Sequence, residues 1–382
     1  MDFRFSTEQG MLRDSARDFL STEQSFERRQ RYLDRIDLDC WQQFAELGWL
    51  AMAVPDDMDG LGSSMTDIAI MCEEFGRCLS ISPFIASAVL PARLLGRARR
   101  GDAVAELLPA VAVGATRAAV ALHEHGHRYN AFHPGVQASR QADGSYVLTG
   151  QKIIVHGGAA ADVLIVSARV IDEDGADVSA MELFLVDTKQ TGIVRRVYRT
   201  IDDAEVADFA FHGASVPAEG LSSFDEGAAV NLERSLDEAA ICLCADLLGG
   251  MSAALELTSE YLHTREQFGQ PLARFQALQH ALAEMFIEAS DARSMVYQGI
   301  GALSEPDAQR RKAVSACKAK VTHAAKLVTG NAVHLHGGIG VTCEYPVGHY
   351  LRRTMVAERT YGDTDYHLDR YLDGAGAVEA GG

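Results

Sequence analysis

The sequence predicts an α+β fold, mostly α, in three consecutive parts: an N-terminal helical domain (residues 1–116), a middle antiparallel β domain (117–227) and a C-terminal bundle of four-helix type (228–382). Three observations predict it. Apolar residues recur at helical spacing from Ser6 to about Gly114, short β-type runs replace them near Ala118, and the helical period returns at Ala228.

The first part opens on Ser6-Thr7-Glu8, a helix N-cap signal, with Leu12, Ala16, Phe19 and Leu20 following on one face. A second helix carries Trp41, Phe44, Leu47 and Trp49. The stretch from Pro55 to Gly62 breaks the pattern, and Thr66 to Gly76 resumes it through Ile68, Ile70, Met71 and Phe75. In the middle part, residues 136–141 and 146–155 read as two strands joined by a turn at Ala142-Asp143-Gly144. Further runs at 163–168, 182–186 and 206–211 indicate an antiparallel sandwich or barrel of about a hundred residues. In the third part Leu278, Leu282, Met285, Phe286 and Ala289 share a face, as do Val314, Cys317, Val321, Ala325 and Val328. These two long helices, with one around Ala239 to Thr258, form the expected bundle. Residues 374–382 make a frayed tail of small side chains.

The chain has 382 residues, 47% hydrophobic and 23% charged, an average globular composition that excludes wholesale disorder, collagen-like repetition and a coiled-coil rod. With 35 Lys and Arg against 53 Asp and Glu, the net charge of -18 opposes nucleic acid and anionic membranes. An anionic ligand therefore needs a local basic site, whose binding is salt-sensitive. The seven cysteines lie in apolar stretches without C-x-x-C spacing and read as reduced core residues. The N-terminus has no basic region followed by an apolar run, and no stretch approaches the roughly 18 apolar residues of a membrane span. We expect a cytoplasmic protein.

Four segments carry a family resemblance: 47–62, beginning Leu47-Gly48-Trp49; Leu148-Thr149-Gly150-Gln151-Lys152; 261–272, Tyr-Leu-His-Thr-Arg-Glu-Gln-Phe-Gly-Gln-Pro-Leu, with 275–280; and His336-Gly337-Gly338-Ile339-Gly340 with Glu344-Tyr345-Pro346. Together with the order helical, β, helical, they resemble the acyl-CoA dehydrogenase family along nearly the whole chain. The resemblance implies a tetrameric flavoprotein with FAD between the β domain and the bundle, its ADP half reaching a neighbouring subunit. It also implies an acyl-CoA substrate, a carboxylate that removes the α-proton while a hydride leaves the β-carbon for the flavin, and an electron-acceptor flavoprotein.

Carried onto this sequence, the resemblance implies cofactor contacts from Arg265, Gln267, Phe268, Gln276, His334, Gly337, Gly338 and Thr364. Arg265 brings a guanidinium fork suited to a pyrophosphate, Phe268 an apolar wall and Gln276 a polar handle. The alternative for Arg265 is a salt bridge with Glu266 or another of the many acids. Gly337 and Gly338 let backbone approach a ligand closely, the alternative being a helix C-cap. His334 stands where the family commonly has Gln.

Elsewhere the chain departs from the family. The loop that lies against flavin and thioester reads Leu122-His123-Glu124-His125-Gly126-His127-Arg128-Tyr129, keeping only the Glu. The Trp-Ile-Thr run beside the flavin becomes Ile154-Val155-His156. Three histidines around Glu124 lack the spacing of zinc sites, and we expect a solvated loop and no metal. The base is missing too: the Tyr-Glu-Gly-Thr turn reads Tyr361-Gly362-Asp363-Thr364, and the second family position for a base falls on Ala239. Asp363 and Glu238 are the substitutes at hand, with a turn residue as the alternative for Asp363; the catalytic residues are left unassigned. What is kept serves the neighbour's FAD. The leading expectation is a catalytically incomplete subunit pairing with a complete one in an α2β2 complex with half the usual flavins. The rivals are a self-sufficient homotetrameric dehydrogenase using Asp363 or Glu238, and a flavin-free acyl-CoA-binding or structural module.

Overall fold

Ser6 starts the first helix through a reciprocal box: its hydroxyl accepts the Gln9 amide, and the Gln9 side chain accepts the Ser6 amide at 3.1 Å. The computed structural model describes residues 5–31, 38–99, 101–172 and 175–379. In chain order its helices are α1 (Thr7–Glu23), α2 (Phe26–Arg31), α3 (Leu38–Glu46), α4 (Met65–Arg77), α5 (Leu90–Leu95) and α6 (Asp102–Ala112). Strands β1 (Ala118–Ala121), β2 (Gln137–Arg140), β3 (Tyr146–His156), β4 (Val163–Ile171), β5 (Asp177–Asp187), β6 (Ile193–Arg199), β7 (Glu205–Val216) and β8 (Leu221–Ser222) follow. The chain ends with α7 (Ala228–Thr264), the two-residue strands β9 (Glu266–Gln267) and β10 (Gln270–Pro271), then α8 (Gln276–Ala302), α9 (Asp307–His336), α10 (Val347–Arg359) and α11 (Thr364–Glu379). The mostly-α, α+β reading holds.

The chain divides into two compact units, one within 1–33, 65–80 and 240–382, the other within 34–64 and 81–239. The N-terminal helices are thus shared out: α1, α2 and α4 belong with the C-terminal helices, whereas α3, α5 and α6 belong with the strands.

In the first unit α9 is the central post, packed against α8, α10 and α11. The predicted stripe Val314, Cys317, Val321, Ala325 and Val328 is fully buried, at about 1.5–3 kcal/mol for each large aliphatic side chain. Helix α4 crosses α7 backbone to backbone. A Cβ on Gly76 would stand 1.8 Å from the Asp246 carbonyl oxygen, and one on Gly249 1.8 Å from that of Glu73, so only glycine permits the approach. Arg353 braces this contact through Asp246 (2.6 and 3.0 Å) and the Ser80 carbonyl.

The second unit holds one eight-stranded sheet in the order β6-β7-β3-β2-β4-β5-β8, with β1 also on β4. The predicted hairpin is there: Asp143 accepts the Ser145 amide and hydroxyl, and Gly144 takes φ 88°. The sheet departs from the antiparallel expectation in two pairings, since β1 and β2 both run parallel to β4. The chain reverses between β2 and β3 and again between β3 and β4, so β2 and β4 point the same way where they meet. Its core includes Leu148, Leu164, Val166, Phe184, Phe209 and Phe211, each at most 1% exposed.

Four further expectations are corrected. Helix α3 stops at Glu46, Gly48 turns the chain at φ 76°, and Leu47 is left exposed. Phe286 is 62% exposed, so the apolar stripe of α8 is wider than the face the other helices cover. Cys343 is exposed and Cys78 half-buried, so not every cysteine is a core residue. Helix α7 contains an 18-residue window apolar enough to cross a membrane, contrary to the sequence reading; 78% of that window is buried in the chain's own interior.

Candidate functional site: two open turns and a spent pair of carboxylates

Helix α7 ends at Thr264, and the chain folds into the β9–β10 hairpin, Gln267 opposite Gln270. Its two-residue turn, Phe268 at φ 55° and Gly269 at φ 78°, places both central residues in the left-handed region. Such a turn matches strand twist and suits glycine, while phenylalanine there costs about 1–2 kcal/mol. The ring is nonetheless 90% exposed, meeting only the edge of Phe275 at 6.0 Å. Arg265 is fastened by its backbone, its amide to the Tyr261 carbonyl and its carbonyl to the Leu272 amide. Its exposed guanidinium makes no ion pair among the described residues, Glu266 included. Gln267 and Gln276, the first residue of α8, are exposed beside it.

The second turn closes α9. His334 points to solvent, Gly337 takes φ 62°, and nothing lies within 4 Å of a Cβ built on Gly337 or Gly338. Gly340 differs, because a Cβ there would be 2.6 Å from the Val333 carbonyl oxygen. So Gly340 is a packing residue, and the two predicted cofactor glycines are those with open space.

Three rings tie the turns together. His336 lies buried between Tyr261 (4.4 Å, 25°) and Tyr345 (5.0 Å, 46°), its Nδ1 donating to the Ala332 carbonyl, and burial holds its pKa below the usual imidazole value. The structure therefore brings Arg265 and the hairpin to the Gly337 turn. Sequence reading assigned no role to this stack, although an aromatic residue in each quoted segment was its signal. Beside the hairpin a groove of about 610 Å³ opens between α7 and α8, floored by Leu255, Leu262, Leu282, Phe286 and Ile287.

The carboxylates are committed. Glu238, 5% exposed, receives Arg93 at 2.7 and 3.1 Å and Arg97 at 2.6 Å. Burial pushes its pKa up, the two guanidiniums outweigh burial, and the net shift is downward. Its lone pairs are engaged and its basicity is reduced, which weighs against a role as base. Ala239 is fully buried. Asp363 caps α11, its Oδ1 accepting the Tyr366 amide at 2.9 Å, and half-buried Thr364 is the first residue of that helix.

In the second unit the one kept residue of the 122–129 loop is a strut. Glu124 accepts the amides of Gly135 (2.6 Å) and Val136 (3.2 Å) and the ammonium of Lys152 (2.5 Å). Lys152 is fully buried and also donates to Ser167 Oγ and the Leu122 carbonyl; burial draws its pKa down to about 8 against the pull of Glu124. His123 is half-buried with a lowered pKa, first through desolvation, His125 is exposed, and His127 donates Nδ1–H to the His133 carbonyl. Ile154, at the position of the family's aromatic ring, sits at φ 51° with its amide on Asp208 Oδ1, which Tyr198 also reaches at 2.7 Å. For a flavin, the two halves differ. Arg265, Phe268 and the open glycines fit the ADP half of a cofactor, whereas residues 154–156 offer an isoleucine, a valine and an imidazole where the ring half needs an indole and a hydroxyl.

Comparisons with known proteins agree with this architecture. Residues 6–114 match the acyl-CoA dehydrogenase N-terminal domain, 119–213 the middle domain and 225–375 the C-terminal domain. The chain is 27% identical to the acryloyl-CoA reductase (NADH) of Anaerotignum propionicum over 378 residues, 96% of this chain and 94% of that one. Among solved structures it is similar to a variant of the Tcur3481-Tcur3483 steroid ACAD (29% identity, TM-score 0.85, 98% and 99% of the two chains covered). It is also similar to the ChsE4-ChsE5 complex of Mycobacterium tuberculosis (26% identity, TM-score 0.84, 97% of each chain). The chain belongs to the acyl-CoA dehydrogenase family, FAD-dependent oxidoreductases acting on CH–CH bonds.

Proposed function

We propose that this chain is the base-less subunit of a heterotetrameric α2β2 acyl-CoA dehydrogenase that serves the FAD of a complete partner. One observation carries the reading. The residues that would serve a neighbour's cofactor are open, whereas glycine and alanine hold the two family positions for a base and the nearest carboxylates are spent on structure. FAD, when bound, accepts the hydride from the substrate's β-carbon. Arg265 holds the pyrophosphate, and Gln267 and Phe268 line the turn beside it. Gln276 and His334 supply polar contacts, Gly337 and Gly338 admit the ligand to bare backbone, and Thr364 adds a hydroxyl. Exposed Phe286 and Ile287 in the α7–α8 groove give a second chain an apolar seat.

The α-proton is removed by the partner's carboxylate, from an acyl-CoA whose acyl chain is a sterol side chain or a comparable lipid; the steroid ACAD and the ChsE4-ChsE5 complex are similar two-component proteins. A separate electron-acceptor flavoprotein re-oxidises the complex, and the protein works in the cytoplasm. The test is flavin content and mass, measured on the chain alone and after co-expression with a neighbouring dehydrogenase gene. We expect little FAD alone and near one FAD per two chains in the complex. A yellow homotetramer with one FAD per chain would overturn the proposal in favour of a self-sufficient enzyme.

A further inference from the structure

We infer that the base position of this chain is closed as well as vacated: Tyr366 and His367 fill the space that a side chain at position 362 would need. Gly362 is buried at φ 105°, and a Cβ built on it would lie 2.4 Å from Tyr366 Cδ1, 2.9 Å from its Cε1 and 2.7 Å from His367 Nε2. Real Cβ atoms do not approach heavy atoms under 3.0 Å, so a neighbour has to move. These neighbours are held. His367 is 2% exposed; its Nε2–H donates to the Tyr361 carbonyl at 3.0 Å, and its Nδ1 faces Ser315 Oγ at 3.4 Å. The Tyr366 ring meets the His367 ring edge-on at 5.1 Å, and its amide is on Asp363.

The turn has no freedom to swing away either. Tyr361, at φ 59°, precedes Gly362, so two successive residues are left-handed. The buried Lys318 ammonium donates to the Gly362 carbonyl at 3.2 Å and to the carbonyls of Ala357 (2.8 Å) and Glu358 (3.3 Å). Loss of the carboxylate is thus matched by two rings packed into the vacated volume, and restoring a glutamate at 362 means displacing both. The inference deepens the base-less reading and rests on it for its meaning, but its geometry is tested separately.

The test is a set of thermal midpoints on the full-length chain: Gly362→Ala, Tyr366→Ala, His367→Ala and the two double variants. Overpacking predicts that Gly362→Ala lowers the midpoint by about 5 °C in the native background and by measurably less in each truncated background, where the remaining ring and the left-handed strain keep part of the loss. Equal losses in all three backgrounds would mean that left-handed strain at 362 is the whole effect, and the closure is wrong. Should Gly362→Ala fail to fold, the double variants carry the test: cooperative melting of either supports closure, and failure of both overturns it. Flavin content plays no part in this set, so failure of the heteromeric reading would show separately.

Discussion

The hairpin at 265–271 and the turn at 361–367 stand in contrast, although both follow a long helix and both carry family motifs. In the hairpin an arginine is without an ion pair among the described residues, an aromatic ring is exposed in a left-handed turn, and open space lies over two nearby glycines. In the 361–367 turn Lys318, Asp363, His367 and Tyr366 are all used to hold the turn or fill it. Under the proposed function, the strain and exposure of this hairpin serve another subunit's cofactor. Tight closure, by contrast, is confined to position 362, where no side chain fits without displacing a ring. The comparison teaches that the segment that keeps the family wording leaves its polar groups open, whereas the segment that departs from it ties them into the fold.

The largest expected effect breaks the comparison at its closed end. Glu238→Gln removes the buried charge that two half-buried guanidiniums share, and loss of one member of such a network costs up to about 3–5 kcal/mol, less where the arginines reach water. Denaturant midpoints should fall accordingly while turnover per folded complex stays the same; a turnover loss at unchanged stability would restore Glu238 as a base. Next comes the open end. Under the proposed function Arg265→Ala should remove a charge-assisted contact to the pyrophosphate, about 1.5–3 kcal/mol, or roughly one to two decades of FAD affinity in the complex. Flavin absorbance after gel filtration reads it, and unchanged FAD content would make Arg265 an ordinary surface cation.

Acid sharpens the comparison further. Burial, then the nearby Lys318 and Arg370 charges, lower the His367 pKa to about 3. The unfolded imidazole takes up its proton near 6.5 and the folded one resists it, so stability is full above pH 6.5 and is lost as pH falls toward 3. Between pH 6.5 and 5 the loss from this residue is about 2 kcal/mol. His367→Asn should flatten the melting profile over that range; an unaltered acid slope would show that His367 does not hold the turn. The smallest effect belongs to Asp363→Asn. Asparagine caps a helix about as well as aspartate, so stability should hold within a few tenths of a kcal/mol and turnover within a few-fold. A loss of 10²-fold or more at unchanged flavin content is what removing a general base produces, and it would install Asp363 in that role.

The sequence by itself determined what is local. Ser6 with Gln9 starts α1, Asp143-Gly144 turns β2 into β3, and the stripe from Val314 to Val328 is buried as its spacing requires. Each of these depends on neighbours within one helical turn or one hairpin. The dozen residues around Arg265 carried the family resemblance, whereas the hairpin they form shows only once β9 pairs with β10. Tertiary structure decided the rest. The sharing of the N-terminal helices between two units depends on Gly76 and Gly249 meeting carbonyls from distant segments. Strands β1, β6 and β8 escaped notice because β1 and β8 are too short, and β6 too rich in arginine, to show a strand pattern without the partner strand that pairs with each. Phe286 fits the α8 stripe by period, yet which face of a helix is covered depends on what packs against it. The same holds at the base position: Gly362 reads as an absence, and only the packed rings of Tyr366 and His367, four and five residues on and folded back by the helix cap, make it a closure.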